Sequence, residues 1–147
     1  MKMVMKKRAV LIEISVVSIL LVLPPVFFPS SGPIQQPSSG FYSAILFFLA
    51  VNLLVIYEEL LYRLWFPDRL SVLVPENKAA VEMIPLLLFA LAHRGPGWAS
   101  AAFAFAAGGI LRFLYIRTKL KHGQTVAFIL IFSIHALWNW TLYIFFT

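Results

Sequence analysis

Long apolar runs, separated by short polar or proline-rich segments, organise this sequence. Five runs are long enough to predict helices, at residues 9–28, 41–66, 79–93, 98–116 and 125–146. A helix that crosses a bilayer needs roughly 20 mainly apolar residues, and runs of this kind are typical of such helices. The pattern therefore predicts an all-α membrane protein, folded as a bundle of about five transmembrane helices.

Proline, glycine and polar residues mark the predicted boundaries between these helices. Residues 30–40 form an uncharged Ser/Pro/Gly/Gln loop. Pro67 is predicted to end the second helix and to open a connection over residues 67–78. The third helix is predicted to stop at residues 95–97, where the sequence is Gly-Pro-Gly, and the polar residues 117–124 are predicted to be a loop.

Small residues recur along one face of the predicted fourth helix. Ser100, Ala104 and Gly108 are spaced four residues apart. Such a ridge lets a neighbouring helix backbone approach closely. We therefore expect this helix to pack tightly against another helix of the bundle.

The N-terminal segment combines basic residues with the first apolar run. Lys2, Lys6, Lys7 and Arg8 precede it, and no small-residue cleavage site follows it. This arrangement favours an uncleaved first span over a signal peptide. We predict a single domain, with a membrane anchor helix and polar loop over residues 1–40 and a helical core over residues 41–147.

The composition supports membrane insertion and excludes several functional classes. Of the 147 residues 61% are hydrophobic and 12% are charged, and the mean hydropathy is +0.88. These values are not those of a soluble domain. The chain has no cysteine, which excludes disulfides, thiolate metal sites and a cysteine nucleophile.

The net charge of +6 is distributed as expected for a membrane protein. The basic residues lie between the apolar runs, so we predict contact with the lipid bilayer and no nucleic-acid partner. If the N-terminus is cytoplasmic, only Arg94 of the 12 Lys and Arg residues falls outside. This asymmetry predicts a multi-pass protein of the cell membrane with a cytoplasmic N-terminus and an external C-terminus.

Two adjacent carboxylates, Glu58 and Glu59, lie near the end of the second apolar run. A charged side chain near the centre of a bilayer costs about 2.5–3.5 kcal/mol, so each acid needs compensation. Residues four apart share a helix face, so Glu59 can form an ion pair with Arg63, whereas Glu58 stacks beneath Tyr62 and has no cation on its face. A free carboxylate in an apolar setting suits a general base. The alternative is that both acids flank a membrane helix at its watery end.

The remaining polar residues within the predicted spans include His93, His135 and Asn139. His135 and Asn139 are four residues apart and share a face, as do Phe89 and His93. The alternatives are that His93 caps the end of its helix and that His135 and Asn139 make hydrogen bonds between helices. At ~1.5 Å of rise per residue, these side chains reach depths at which they can converge with Glu58. We therefore expect an intramembrane polar cavity.

Three short motifs resemble those of the CAAX prenyl endopeptidase and bacteriocin-processing (CPBP, or Abi) intramembrane proteases. They are Glu58-Glu59-x-x-x-Arg63, Phe89-x-x-x-His93 and His135-x-x-x-Asn139. The segment 102–118 also resembles the family's helix before its last motif, and the resemblance covers about residues 51–146. The chain departs from the family at Tyr62 and Leu64, where Phe and Gly are usual, and these departures affect packing.

The resemblance implies an intramembrane endopeptidase that acts on a membrane-associated protein or peptide, with residues 41–147 as its catalytic core. It implies that Glu58 and His93 activate a water molecule, and that His135 and Asn139 stabilise the oxyanion. The residues implied to support this group are Glu59 and Arg63. Prenylated tails, bacteriocin leaders and other anchored peptides all fit as substrates.

Competing mechanisms are weighed against the same residues. The sequence contains no His-Glu-x-x-His and no Gly-x-Ser-x-Gly, and its only aspartate is Asp68. These features exclude a zincin-type, a serine-type and a two-aspartate protease. We expect no metal cofactor, and the alternative is a zinc-dependent protease using Glu58, His93 and His135. A non-catalytic membrane scaffold or immunity protein of the same fold is the alternative to an enzyme.

Overall fold

Helices joined by short turns form the described part of the chain, which consists of residues 8, 10–13, 15 and 41–146 of a computed structural model. No strand occurs in this part of the chain. The helical segments are α1 (Phe41–Glu58), a π-helical segment (Glu59–Trp65), α2 (Phe66–Leu73), α3 (Lys78–Ala92), α4 (Trp98–His122) and α5 (Gln124–Phe146). Most of the predicted first span and all of the predicted loop at 30–40 lie outside the described residues.

Three of the described helices are long and apolar enough to cross a membrane. The first is the continuous helix Ala44–Leu73, which runs through α1, the π-helical segment and α2. The other two are Trp98–His122 and Gln124–Leu142. Helix α3 has 15 residues, about 22 Å, and is shorter than a usual span. The predicted all-α membrane fold is thus confirmed, with α3 as a short helix among longer ones.

The helix that carries the two acids does not end at Pro67, so that prediction was wrong. The chain stays helical to Leu73, and the connection to α3 consists only of residues 74–77. Proline is tolerated in the first turn of a helix, where its missing N–H has no intrahelical acceptor. Pro67 occupies such a position in α2, directly after the π-helical segment.

The predicted loop at residues 117–124 is also wrong, because α4 continues to His122. Lysine and arginine are good helix formers, and cations are favourable near a helix C-terminus. The chain turns at Gly123, whose φ of +87° is accessible to glycine at low cost. The N–H of Gly123 donates to the carbonyl of Lys119, which closes the end of the helix.

Helices α4 and α5 share a buried core made of Leu111, Tyr115, Ala127 and Ile131. Helix α5 also contacts α1, where the rings of Phe48 and Trp140 meet edge to face at 5.5 Å. Helix α5 therefore lies beside both α1 and α4. This packing brings the middle of α5 next to the end of α1, where the two acids lie.

The predicted ridge of small residues includes a close contact between α4 and α3. Ala104 and Gly108 are buried. A Cβ at Gly108 would lie 2.9 Å from Leu86 and 3.0 Å from the ring of Phe89. Glycine at 108 thus allows the side chains of α3 to reach the backbone of α4.

Candidate active site

Glu58 lies between the two histidines of the predicted set. It is the last residue of α1, and its side chain is only 13% exposed. Its Oε1 lies 3.8 Å from Nε2 of His93, and its Oε2 lies 3.7 Å from Nε2 of His135. One carboxylate therefore faces the same ring atom of two histidines that come from different helices.

His93 is oriented by the end of its own helix. It is the C-terminal capping residue of α3, and its Nδ1 lies 2.8 Å from the carbonyl oxygen of Phe89. A carbonyl oxygen only accepts, so Nδ1 carries the hydrogen and donates it. In the neutral ring Nε2 then has a free lone pair directed towards Glu58. His93 therefore caps the end of its helix, which was the alternative function, and at the same time lies beside Glu58.

His135 is oriented by Glu59, a partner that the sequence analysis did not predict. Nδ1 of His135 lies 2.6 Å from Oε1 of Glu59, and the same oxygen lies 2.9 Å from Arg63. An ionised carboxylate only accepts, so Nδ1 of His135 donates to it. With Nδ1 engaged in this way, Nε2 of His135 can donate only when the ring also carries a hydrogen on Nε2.

The Glu59–Arg63 ion pair forms as predicted, and it is buried. Glu59 is fully buried and Arg63 is 3% exposed. Two charges in such surroundings are costly unless they compensate each other. The guanidinium also lies over the ring of Phe89, 4.7 Å from its centroid, where a cation–π attraction adds to the compensation.

Phe89 is the packing centre of the site, a role that the sequence analysis did not assign. Its ring contacts those of His93, at 4.4 Å, and of Tyr62, at 5.4 Å, and it lies edge to face with His135 at 6.2 Å. Because it is buried against Gly108, the ring has little freedom to move. The sequence feature that could have indicated this role is the position of Phe89 four residues before His93, on the same helix face.

Asn139 lies one helical turn beyond His135 on α5 and is half-buried. Within the part of the chain that the structure describes, no hydrogen bond or ion pair joins it to the other predicted site residues. The fold thus brings five of the predicted residues into direct contact: Glu58, Glu59, Arg63, His93 and His135. Asn139 is placed next to this group by its helix alone.

The π-helical segment Glu59–Trp65 is a further feature that the sequence analysis missed. Its turns are wider than those of an α-helix, and the N–H of Phe66 donates to Leu61, five residues earlier. Short π-helical segments occur frequently at functional sites. The signal was Pro67, which cannot supply the usual N–H to the residue four positions before it.

A second polar pair, Glu82 on α3 and Arg112 on α4, lies beside the site and was also missed. Nε of Arg112 lies 2.5 Å from Glu82, and its Nη1 lies 2.6 Å from the backbone carbonyl oxygen of Arg63. Both members of this pair line a small cavity that Phe89 also lines. The signal was a carboxylate and a guanidinium in the largely apolar parts of two helices.

The site was also compared with the geometry that a metal ion requires. Among the described residues, no three His, Asp or Glu side chains are grouped so that they could hold a metal ion. Glu58 has the Nε2 atoms of His93 and His135 at 3.8 and 3.7 Å from its carboxylate oxygens.

Comparisons with known proteins cover the whole site. The sequence model of the family described as type II CAAX prenyl endopeptidase Rce1-like matches residues 40–141, which include all the predicted site residues. An uncharacterized protein of Treponema pallidum (strain Nichols) is 36% identical over 141 residues, which is 92% of this chain and 75% of that protein. No solved structure matches the chain.

Proposed function

The chain belongs to the Rce1-like family of type II CAAX prenyl endopeptidases, and on that premise we propose that it is an intramembrane endopeptidase. Its substrate would be a membrane-associated protein or peptide, and its reaction the hydrolysis of one peptide bond. The observation that carries the proposal is the position of Glu58, a largely buried carboxylate that faces Nε2 of both His93 and His135.

Glu58 and His93 are suited to activate water. Because Nδ1 of His93 donates to Phe89, its Nε2 can accept one hydrogen of a water molecule while Glu58 accepts the other. A water held in this way presents its lone pair to the carbonyl carbon of the substrate. As the C–O bond forms, the proton passes to Glu58, which then delivers it to the leaving nitrogen as the C–N bond breaks.

His135 and Asn139 are suited to stabilise the oxyanion. When its ring carries a hydrogen on Nε2, His135 can donate from that atom, and its Nδ1 remains 2.6 Å from the carboxylate of Glu59. The amide of Asn139, one turn further along α5, donates without titrating. Donors that are already oriented before the reaction stabilise developing negative charge effectively in a site from which water is excluded.

Glu59 is less suited than Glu58 to be the base. It is fully buried, and one of its oxygens already contacts both Arg63 and His135. A general base must reach the proton that it removes. We therefore propose that Glu59 and Arg63 support the site and that Glu58 carries out the proton transfer.

We propose a reaction that needs no metal, with zinc as the alternative. Two histidines whose Nδ1 atoms are engaged and whose Nε2 atoms face a carboxylate are also donors that zinc accepts. The metal-free reaction is supported by the acid–base or hydrogen-bonding role already available to each group of the site.

The proposed orientation has the N-terminus in the cytoplasm and the C-terminus outside. Its support is the distribution of Lys and Arg residues, which leaves only Arg94 on the outer side. A contact also fits it, since the carboxylate of Glu13 lies 2.9 Å from Nε of Arg69 in α2. Glu13 thus contacts α2, the helix that leads into the connection at 74–77 on the side proposed to be cytoplasmic.

The test is a cleavage assay on purified protein in detergent, with a farnesylated peptide ending in a CAAX sequence as the first probe. Glu58→Gln keeps the size of the side chain and removes the base, so cleavage should be lost while the folded yield is kept. Glu76→Gln, at an exposed position in the connection to α3, is the matched control and should cleave normally. The proposal fails if Glu58→Gln keeps near-normal turnover.

A further inference from the structure

Arg112 of α4 joins three elements beside the site. Its Nε and Nη2 lie 2.5 and 2.8 Å from the two carboxylate oxygens of Glu82 on α3. Its Nη1 lies 2.6 Å from the backbone carbonyl oxygen of Arg63 in the π-helical segment. A bidentate contact with a carboxylate fixes the orientation of a guanidinium. Glu82 therefore holds Arg112 so that its remaining nitrogen is directed at the backbone of the π-helical segment.

Pro67 cannot donate a hydrogen bond to the carbonyl of Arg63. In an α-helix a carbonyl accepts from the N–H four residues later, and Pro67, which occupies that position, has none. Arg63 is buried, and a buried carbonyl group requires a hydrogen-bond partner. Arg112 supplies to this carbonyl, from another helix, the kind of donor that Pro67 lacks.

The same backbone segment carries the charged residues that orient the site. The side chain of Arg63 pairs with Glu59, Glu59 holds Nδ1 of His135, and Glu58 directly precedes Glu59. A displacement of the carbonyl of Arg63 would therefore be passed to both acids. Gly108, one turn before Arg112, packs against Phe89, so α4 supports the site at two successive turns.

We propose that Arg112 is a positioning residue for the peptidase site, and this inference rests on the proposed function. Oriented by Glu82, it ties down the Arg63 carbonyl and fixes the π-helical turn that aligns Glu58 and Glu59 with the histidines. Arg112 does not touch the substrate in this scheme. A simpler role, an ion pair that merely holds α3 to α4, makes different predictions.

The test combines cleavage kinetics with histidine-selective isotope labelling and NMR of the full chain in detergent. The three histidines are His93, His122 and His135. Because His122 is exposed at the end of α4, its signal is an internal control. Arg112→Met should lower kcat by about 10²-fold with little change in KM, the effect of a small misplacement of reacting groups. It should also shift the ring signals of His135 and leave those of His122 in place.

Two further variants separate positioning from simple cohesion. Arg112→Lys keeps a cation beside Glu82, which protects the folded yield, but lacks the planar fork, so we expect a smaller loss of kcat in the same direction. Pro67→Ala restores an N–H four residues after Arg63. Added to Arg112→Met, it should recover part of kcat and return the His135 signals towards those of the wild type. An ion pair that only joins α3 to α4 would not be replaced by this change.

The matched control is Arg117→Met, an exposed arginine in the same helix, which should leave both readouts unchanged. The inference is overturned if Arg112→Met and Arg112→Lys keep wild-type kcat and His135 signals, or if Pro67→Ala rescues neither readout. Failure of the proposed function would appear differently, as a wild-type protein that cleaves no peptide. The NMR comparison would still test the contact between Arg112 and the π-helical segment, because it requires no turnover.

Discussion

The carboxylate of Glu59 lies 2.6 Å from Nδ1 of His135, and so a residue on the second apolar run orients the ring of a residue on the last. The same oxygen contacts Arg63 at 2.9 Å. Glu59 therefore compensates a buried cation and also fixes which nitrogen of His135 faces Glu58. This double contact gives Glu59 a larger role than the support of Arg63 expected from its spacing.

The first prediction is that Glu59→Gln lowers both stability and turnover. Loss of one partner of a buried ion pair costs about 3–5 kcal/mol, so the melting temperature should fall clearly. The folded fraction should also show a kcat lower by on the order of 10-fold or more, because the histidine loses the charged group that orients it. Thermal unfolding and cleavage kinetics on the purified monodisperse fraction measure the two effects. A stability loss with wild-type kcat would show that Glu59 serves only Arg63.

The second prediction concerns Asn139 as an oxyanion donor. Removal of one such donor typically lowers kcat by about 10²–10³-fold, so Asn139→Ala should do so with little change in KM. Asn139→Asp is nearly isosteric, but its carboxylate would repel an oxyanion, and we expect it to be no better than alanine at neutral pH. Steady-state kinetics check both variants.

Thr141→Val is the control for Asn139, since Thr141 is exposed and its hydroxyl donates to the carbonyl of Leu137 in its own helix. Full activity in Asn139→Asp, or a change confined to KM in Asn139→Ala, would assign Asn139 to helix packing instead.

The third prediction compares two adjacent glycines of α4. A Cβ at Gly108 would lie 3.0 Å from the ring of Phe89, whereas a Cβ at Gly109 would have its nearest neighbour at 3.8 Å. Gly108→Ala should displace Phe89 and lower both stability and kcat. Gly109→Ala should be neutral or stabilising by about 0.5–1 kcal/mol, since alanine is the better helix former. Equal tolerance at both positions would show that the close packing of Phe89 does not matter for the site.

The fourth prediction is that turnover needs no zinc. Elemental analysis of active, detergent-purified protein should find far less than one zinc ion per chain, and chelators should leave kcat unchanged. Each polar group of the site has an acid–base or hydrogen-bonding role in the proposed reaction. Stoichiometric zinc, with activity lost to a chelator and restored by zinc, would favour the alternative that uses Glu58, His93 and His135.

The fifth prediction is the orientation in the membrane. Reporter fusions placed after Gly32 and at the C-terminus should both be external if the N-terminus is cytoplasmic. A fusion to the N-terminus should be cytoplasmic and serves as the control. A cytoplasmic signal from either of the first two fusions would overturn the proposed orientation.

Much of the fold could be predicted because hydrophobic runs report helices directly. The all-α membrane class and the bounds of α3 and α5 follow from the apolar runs to within a residue or two of the structure. The ends of α2 and α4 could not be predicted in this way. Pro67 and the basic residues after Ile116 are usual signals of a helix end. In the structure, however, Pro67 lies in the first turn of α2, and the basic residues extend α4 to His122.

Part of the site could likewise be predicted from spacing within single helices. The Glu59–Arg63 ion pair and the shared face of His135 and Asn139 need only helical periodicity. The contacts between helices could not be inferred from spacing: Glu59 with His135, Phe89 with Gly108, and Arg112 with Glu82 and the carbonyl of Arg63. They join residues from 19 positions apart, as in Phe89 and Gly108, to 76 apart.

By itself, then, the sequence determined that the chain is helical, that it lies in a membrane, and which polar residues must be compensated there. The reason is that an apolar environment penalises every charge and every unpaired backbone group, so that the few polar positions stand out. Apart from the Glu59–Arg63 ion pair, which follows from helical spacing, only the tertiary structure decided which partner compensates each one. That choice depends on the helix packing around Phe89 and Gly108 and on the π-helical turn before Pro67, because these set the directions in which Glu58 and Glu59 point.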